Sequence, residues 1–141
     1  MITEYGFDIT LHYKCNLFGK AFVLASRDGY NVDKFVKEVM TSKELDWLFA
    51  IDDCQEWCDE YFFYAILREN VKCKKQTHFV PEDDFFMWFA GYLYKYWMNT
   101  RGTPRSLIYG ILPLQKLRDN FGFYHTQDWD RVIDDCLKFS K

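Results

Sequence analysis

Along most of the chain the apolar positions recur with a helical period. Val32, Phe35, Val36, Val39 and Met40 follow the i, i+3, i+4, i+7, i+8 spacing of one buried helix face. Trp129, Val132, Ile133, Cys136 and Leu137 repeat that spacing near the C-terminus. Alternation of the strand kind is confined to Phe7, Ile9 and Leu11. The other candidate spans hold too few β-branched residues for strands. The pattern predicts an all-α fold, a single compact multi-helix domain over 1–141 with seven or eight helices. Its helix content should be roughly twice the usual share.

Capping and breaking residues divide the chain. A first helix is predicted over 8–27, ended by Gly29. Asn31 caps a second over 32–41, and Ser42 a short third over 43–50. Asp53 and Glu56 have the three-residue spacing of a capping box and open a helix over 54–72. The most polar linker, 72–79, follows. Pro81 with Glu82, Asp83 and Asp84 puts proline in a first turn and anions on the positive end of the dipole, starting a helix over 81–99. Thr103-Pro104 opens one over 104–111, and Pro113 opens one over 113–120 that Gly122 should end. Thr126 or Asp128 caps the last, which runs to about Phe139. Two of these helices are apolar nearly all round. Phe85, Trp88, Phe89, Tyr92 and Tyr96 form one stripe, and Phe86, Ala90, Leu93 and Trp97 a second. The helix with Trp57, Tyr61, Phe62, Phe63, Tyr64, Ile66 and Leu67 is similar. Such a helix is either central or buried on one face and adhesive on the other, and the central reading is the simpler. The expected core contains Phe35, Val39, Phe62, Ile66, Phe89, Leu93, Val132 and Ile133.

Composition narrows the function classes. With 141 residues, 49% hydrophobic, the chain suits one domain that buries a core without disulfides or metal. A net charge of −3 argues against a dedicated nucleic-acid binder. No apolar run reaches the roughly 18 residues of a membrane span. Met1 to Phe7 lacks the basic flank and apolar stretch of a signal peptide, so the five cysteines are expected to be reduced thiols in the cytoplasm. The aromatic share changes the picture most. It is 21%, with 14 Phe, 10 Tyr and 5 Trp, more than so small a domain should bury. Exposed Trp and Tyr are interface residues. Charge is segregated as well. Glu44 to Glu60 holds seven acids and no base, whereas Phe85 to Arg118 holds five bases and no acid. Partly self-paired faces are the simpler account of that polarity, and patches that steer a charged partner the other.

Candidate chemistry is sparse. Cys54, Cys58, Cys73 and His78 would make a Cys3His zinc set, but the second pair flanks a lysine-rich linker instead of a knuckle, so no metal is expected. His12, His78 and His125 are far apart in sequence, and none lies in a nucleophile motif. No phosphate-binding glycine loop is present. No catalytic residue and no cofactor is therefore nominated. Ala25, Gly29 and Phe35 fit a helix-turn-helix, yet Glu38 stands where a third apolar anchor belongs, which favours an ordinary αα-corner.

Three stretches are distinctive: F-F-M-W-F-A-G-Y-L-Y-K-Y-W (Phe85 to Trp97) with S-L-I-Y-G-I (Ser106 to Ile111), G-F-Y-H-T-Q-D-W-D-R-V-I-D-D-C-L (Gly122 to Leu137), and N-L-F-G-K-A-F near the N-terminus. Together they resemble small helical bacterial proteins encoded beside toxin genes in toxin–antitoxin operons. The resemblance covers most of the chain and carries no residue-level motif. It implies an antitoxin-like protein whose partner is a cognate toxin, including nucleotidyl- or ADP-ribosyl-transferring enzymes, held in a hetero-oligomer with its active site blocked. Small enzymes that reverse a toxin's modification and DNA-binding autorepressors are the competing classes. The expected interface lies between Tyr92 and Arg118. Helical spacing turns Tyr92 and Tyr96 inward, leaving Tyr94, Trp97, Arg101, Arg105 and Tyr109 as the partner-binding candidates.

Overall fold

Two glycines let two helix backbones come close together. A computed structural model describes residues 9–50 and 59–139, of which 76% are helical. Helix α1 (Ile9–Arg27) and helix α5 (Asp84–Arg101) run antiparallel and share the largest interface. At their crossing Gly19 lies against Trp88, and Gly91 against the backbone of Phe18 and Gly19. Only residues without a Cβ let two backbones come so near. α1 buries Cys15, Phe18, Ala21, Phe22 and Ala25 on one face. α5 buries its second stripe, Phe86, Ala90, Leu93 and Trp97, together with Tyr94, Phe89 and Tyr92; of its first stripe Trp88 and Tyr96 are half-buried and Phe85 is exposed. It is the central helix that its all-round apolar pattern implied.

The other helices pack around this pair. They are α2 (Val32–Thr41), α3 (Asp46–Ala50, preceded by a 3-10 turn over Lys43–Leu45), α4 (Glu60–Glu69), α6 (Arg105–Ile111), α7 (Leu114–Tyr124) and α8 (Trp129–Phe139). Among the described residues there is no strand, only an isolated bridge between Tyr30 and Lys75. One apolar cluster runs through all eight helices, so the fold is all-α with a single core.

Most boundaries follow their caps. Gly29, at φ 98°, ends α1. The Asn31 side chain accepts from the Lys34 amide at 3.2 Å, and Ser42 caps the 3-10 turn. Asp83 caps α5, so this helix begins three residues after the predicted start, and Gly102 at φ 63° closes it. α4 is capped by Asp59, which accepts from Phe62 N at 2.8 Å. The Asp53–Glu56 spacing and Trp57 lie outside the described residues. Gly122 does not end α7. The Phe121 ring packs 5.1–5.5 Å from the rings of Phe85, Phe86 and Phe89, and Tyr124 is buried one turn on. Burying two aromatic side chains outweighs the ~1 kcal/mol cost of a helical glycine.

Phe35, Val39, Phe89, Leu93, Val132 and Ile133 are buried as expected. Ile66 is half-buried, and Phe62 is 59% exposed, against expectation. α4 presents Phe63, Tyr64 and Leu67 to the core. Phe62 lies about 140° around the helix from Leu67, outside that arc. Glu38 also has a role the helix-turn-helix pattern did not foresee. Its carboxylate accepts the backbone amides of Lys72 at 2.7 Å and Cys73 at 2.8 Å, pinning the linker to α2.

Candidate functional site

The aromatic and basic stretch from Tyr92 to Arg118 does not form the surface its sequence suggested. Tyr94 and Trp97 are fully buried, a correction to their assignment as partner-binding residues. The reason is α5's central position, which sets Tyr94 against Phe22, with ring centroids 6.4 Å apart, and turns Trp97 into the core. The Tyr94 hydroxyl donates to the Leu112 carbonyl at 2.8 Å, and its burial raises the phenol pKa well above the ordinary value. Tyr92 is buried and Tyr96 half-buried, as their spacing indicated. Tyr109 is half-buried against Tyr94, with ring centroids 6.1 Å apart.

The arginines of that stretch meet acids from elsewhere in the chain. Arg101 pairs with Asp134 at 3.0 Å and Asp130 at 3.3 Å, both on α8. Arg105, only 9% exposed, pairs with Asp46 at 3.0 Å, donates to the Ser42 carbonyl and lies 4.6 Å over the Phe49 ring. Desolvation lowers its pKa, partly offset by Asp46. Arg118 bridges Asp33 at 3.0 Å and Glu82 at 2.6 Å, and lies 5.4 Å over Phe86. A stretch without acids in sequence is thus largely compensated in space. Of the five candidates, Arg101 and Tyr109 keep surface exposure, and Arg105 serves as a tie between α6 and α3.

A group of aromatic rings lines a cleft on the other side of α5, where Phe85 is exposed; Tyr13, Trp47, Tyr61, Phe62, Phe79 and Phe123 are exposed elsewhere. Phe85, Trp88, Phe89 and Tyr96 of α5 meet His125, Gln127 and Asp128 of the α7–α8 corner and Trp129 and Asp130 of α8 around a cleft of about 380 Å³. Sequence periodicity puts the α5 rings one turn apart on a single face, and the corner carries Trp129 across to them. Each ring is held from behind. Trp88 donates its indole N–H to Asn16 Oδ1 at 2.8 Å. Trp129 stacks on Tyr92 at 4.5 Å and packs on Phe89 at 4.7 Å. Trp88 and Trp129 stand 6.1 Å apart at 62°, two walls of a corner. Phe85, 50% exposed, stacks on Trp88 at 6.2 Å and forms the lip. Tyr96 donates to Asp130 at 2.9 Å, and burial together with that bond pushes its phenol up to about 12, so it stays protonated.

This cleft was only half legible in the sequence. The stripe Phe85–Trp88–Phe89–Tyr92–Tyr96 was visible, but Trp129 read as core and Asp128 as a cap. The Trp129-Asp130 pair directly after a turn was the available signal. Chemically, the lining offers π faces, two carboxylates and an imidazole. His12 contacts the Tyr92 hydroxyl at 2.8 Å, and the His125 ring packs on Phe85 and Phe121. Among the described residues no three His, Cys, Asp or Glu converge on a point that would hold a metal. Cys54 and Cys58 of the candidate zinc set lie outside those residues. Cys73 is half-buried beside Glu38, and burial and that carboxylate raise its thiol to about 12. No helix among the described residues is long and apolar enough to cross a membrane. In comparisons with protein families, characterised proteins and solved structures, none matches this chain.

Proposed function

We propose that this protein is antitoxin-like: it neutralises a cognate toxin enzyme by direct, stoichiometric binding that blocks the toxin's active site. Its partner on this reading is a nucleotidyl- or ADP-ribosyl-transferring enzyme, bound as a hetero-oligomer in the cytoplasm. The resemblance of the three stretches supplies the role. The observation that supports it is the cleft between α5 and the α7–α8 corner, where Phe85 is exposed and Trp88, Tyr96 and Trp129 are half-buried on helices. Such rings give large contact area at low entropic cost and dominate the binding energy of interfaces. The internal pairing of Arg105 and Arg118 moves the proposed contact away from the basic stretch and onto this cleft, with Arg101 at its margin.

The test is an inhibition titration. The enzyme that co-purifies with the tagged chain from its native host is assayed against increasing amounts of the purified protein. Blocking predicts that activity falls in proportion to added protein and vanishes near one chain per enzyme. Substrate already modified, then freed of the enzyme, should stay modified when the protein is added. Suppression far below equimolar, or reversal of the modification in the enzyme's absence, would reject blocking and establish catalysis.

A further inference from the structure

We propose that the aromatic cleft is a guanidinium receptor, filled in the complex by one arginine side chain of the protein partner. The identity of the partner rests on the reading above; the chemistry of the cleft does not. At about 380 Å³, it is sized for a side chain and not for a helix. Its walls suit a flat cation. Trp88 and Trp129 meet at 62°, and Phe85 lies nearly parallel to Trp88, with 20° between the planes. These rings pack on one another, so a guanidinium entering the cleft lies against the rings that line it and not between them, within the ~6 Å at which cation–π attraction operates.

The charge of the lining agrees. Asp128 and Asp130 line the cleft, and no lysine or arginine does. Arg101 reaches Asp130 from the side and shares itself with Asp134. Asp128 pairs with no cation among the described residues, so the mouth stays net acidic. The fold itself uses the same chemistry elsewhere. Arg105 is seated by the Phe49 ring and Asp46, and Arg118 by the Phe86 ring with Asp33 and Glu82. Ring plus carboxylate holds both of these buried-side guanidinium groups. The cleft repeats that arrangement with its opening toward solvent. Arginine fits better than lysine because its planar fork can stack on a ring while donating to the two carboxylates and Gln127.

The experiment needs no toxin. The indole N–H resonances of Trp88 and Trp129 are followed by NMR while N-acetyl-arginine N-methylamide is added, with the lysine and uncharged citrulline analogues as controls. The expected result is a saturable shift of both indoles that is tighter for arginine than for citrulline by about fivefold. Asp128→Asn, on an exposed side chain, should weaken the arginine response by a similar factor while circular dichroism stays unchanged. Equal binding of citrulline would overturn the charge argument, and equal binding of lysine the guanidinium assignment. No shift of either indole at tens of millimolar probe would overturn the site. If the site fails while the toxin is still titrated one to one, the cleft assignment falls alone; the reverse result rejects the neutralising role and leaves the receptor standing.

Discussion

Replacing Gly91 by alanine should separate helix propensity from packing. Propensity alone favours alanine by about 0.8–1 kcal/mol in a helix interior. The structure opposes it. A Cβ on Gly91 would lie 2.6 Å from the Phe18 carbonyl oxygen, 2.7 Å from Gly19 Cα and 2.8 Å from Gly19 N. All three are backbone atoms of α1, so no rotamer relieves the clash. Ordinary contact begins near 3.4 Å, and α1 must retreat from α5 by most of an ångström along the whole crossing. Overpacking a core costs about 1–3 kcal/mol, and here the loosened seam also carries Phe18, Phe22 and Leu93. After subtracting the propensity gain, a net loss of about 1–2 kcal/mol is expected, a fall in Tm of roughly 3–8 °C for a chain this long. Gly122 is the internal control. It is also helical, and a Cβ there meets nothing within 4 Å. Gly122→Ala should therefore stabilise by up to about 1 kcal/mol. Urea and thermal unfolding followed by circular dichroism at the helix band measure both variants. A Gly91→Ala protein as stable as the parent, or two changes of the same sign, would refute the close crossing.

Tyr94→Phe should cost about 1–3 kcal/mol, because the buried Leu112 carbonyl loses its donor, and should leave toxin inhibition unchanged; urea midpoints and the inhibition titration check both halves. Arg105→Ala should cost about 2 kcal/mol by loss of Asp46, the Ser42 carbonyl and the Phe49 ring, whereas Arg101→Ala on the solvated face should cost under about 1 kcal/mol. Equal losses for the two arginines would contradict their different surroundings. Glu38 carries a pH signature. Burial raises its pKa, but the Cys73 thiol and the amides of Lys72 and Cys73 outweigh burial and hold it below the ordinary 4.5. A carboxylate lowered in the folded state stabilises above its unfolded pKa, and that contribution fades as pH falls through the folded value. Glu38→Gln should therefore cost about 1 kcal/mol at neutral pH and progressively less in acid. A difference in stability as large at about pH 3 as at pH 7 would disprove it.

What the sequence determined by itself was local. The helical period, Gly29, the Pro81 to Asp84 start and the caps Asn31 and Ser42 act within a turn or two of chain, so α1, α2 and α5 could be placed, and the all-α class with them. The central place of α5 was legible as well, because a helix with two apolar stripes has few other places to be. Tertiary structure decided everything that joins distant segments. Gly122 continues a helix because Phe121 finds three rings on α5, and Phe62 faces solvent because only one arc of α4 packs. Arg105 and Arg118 are structural because Asp46, Asp33 and Glu82, from other parts of the chain, close on them. Exposure and charge compensation are sums over neighbours in space, and a linear reading of Tyr92 to Arg118 contains none of those neighbours. The cleft between Trp88 and Trp129 belongs to the same class: its two walls are contributed by α5 and α8, and only the packing of α7 against α5 brings them face to edge.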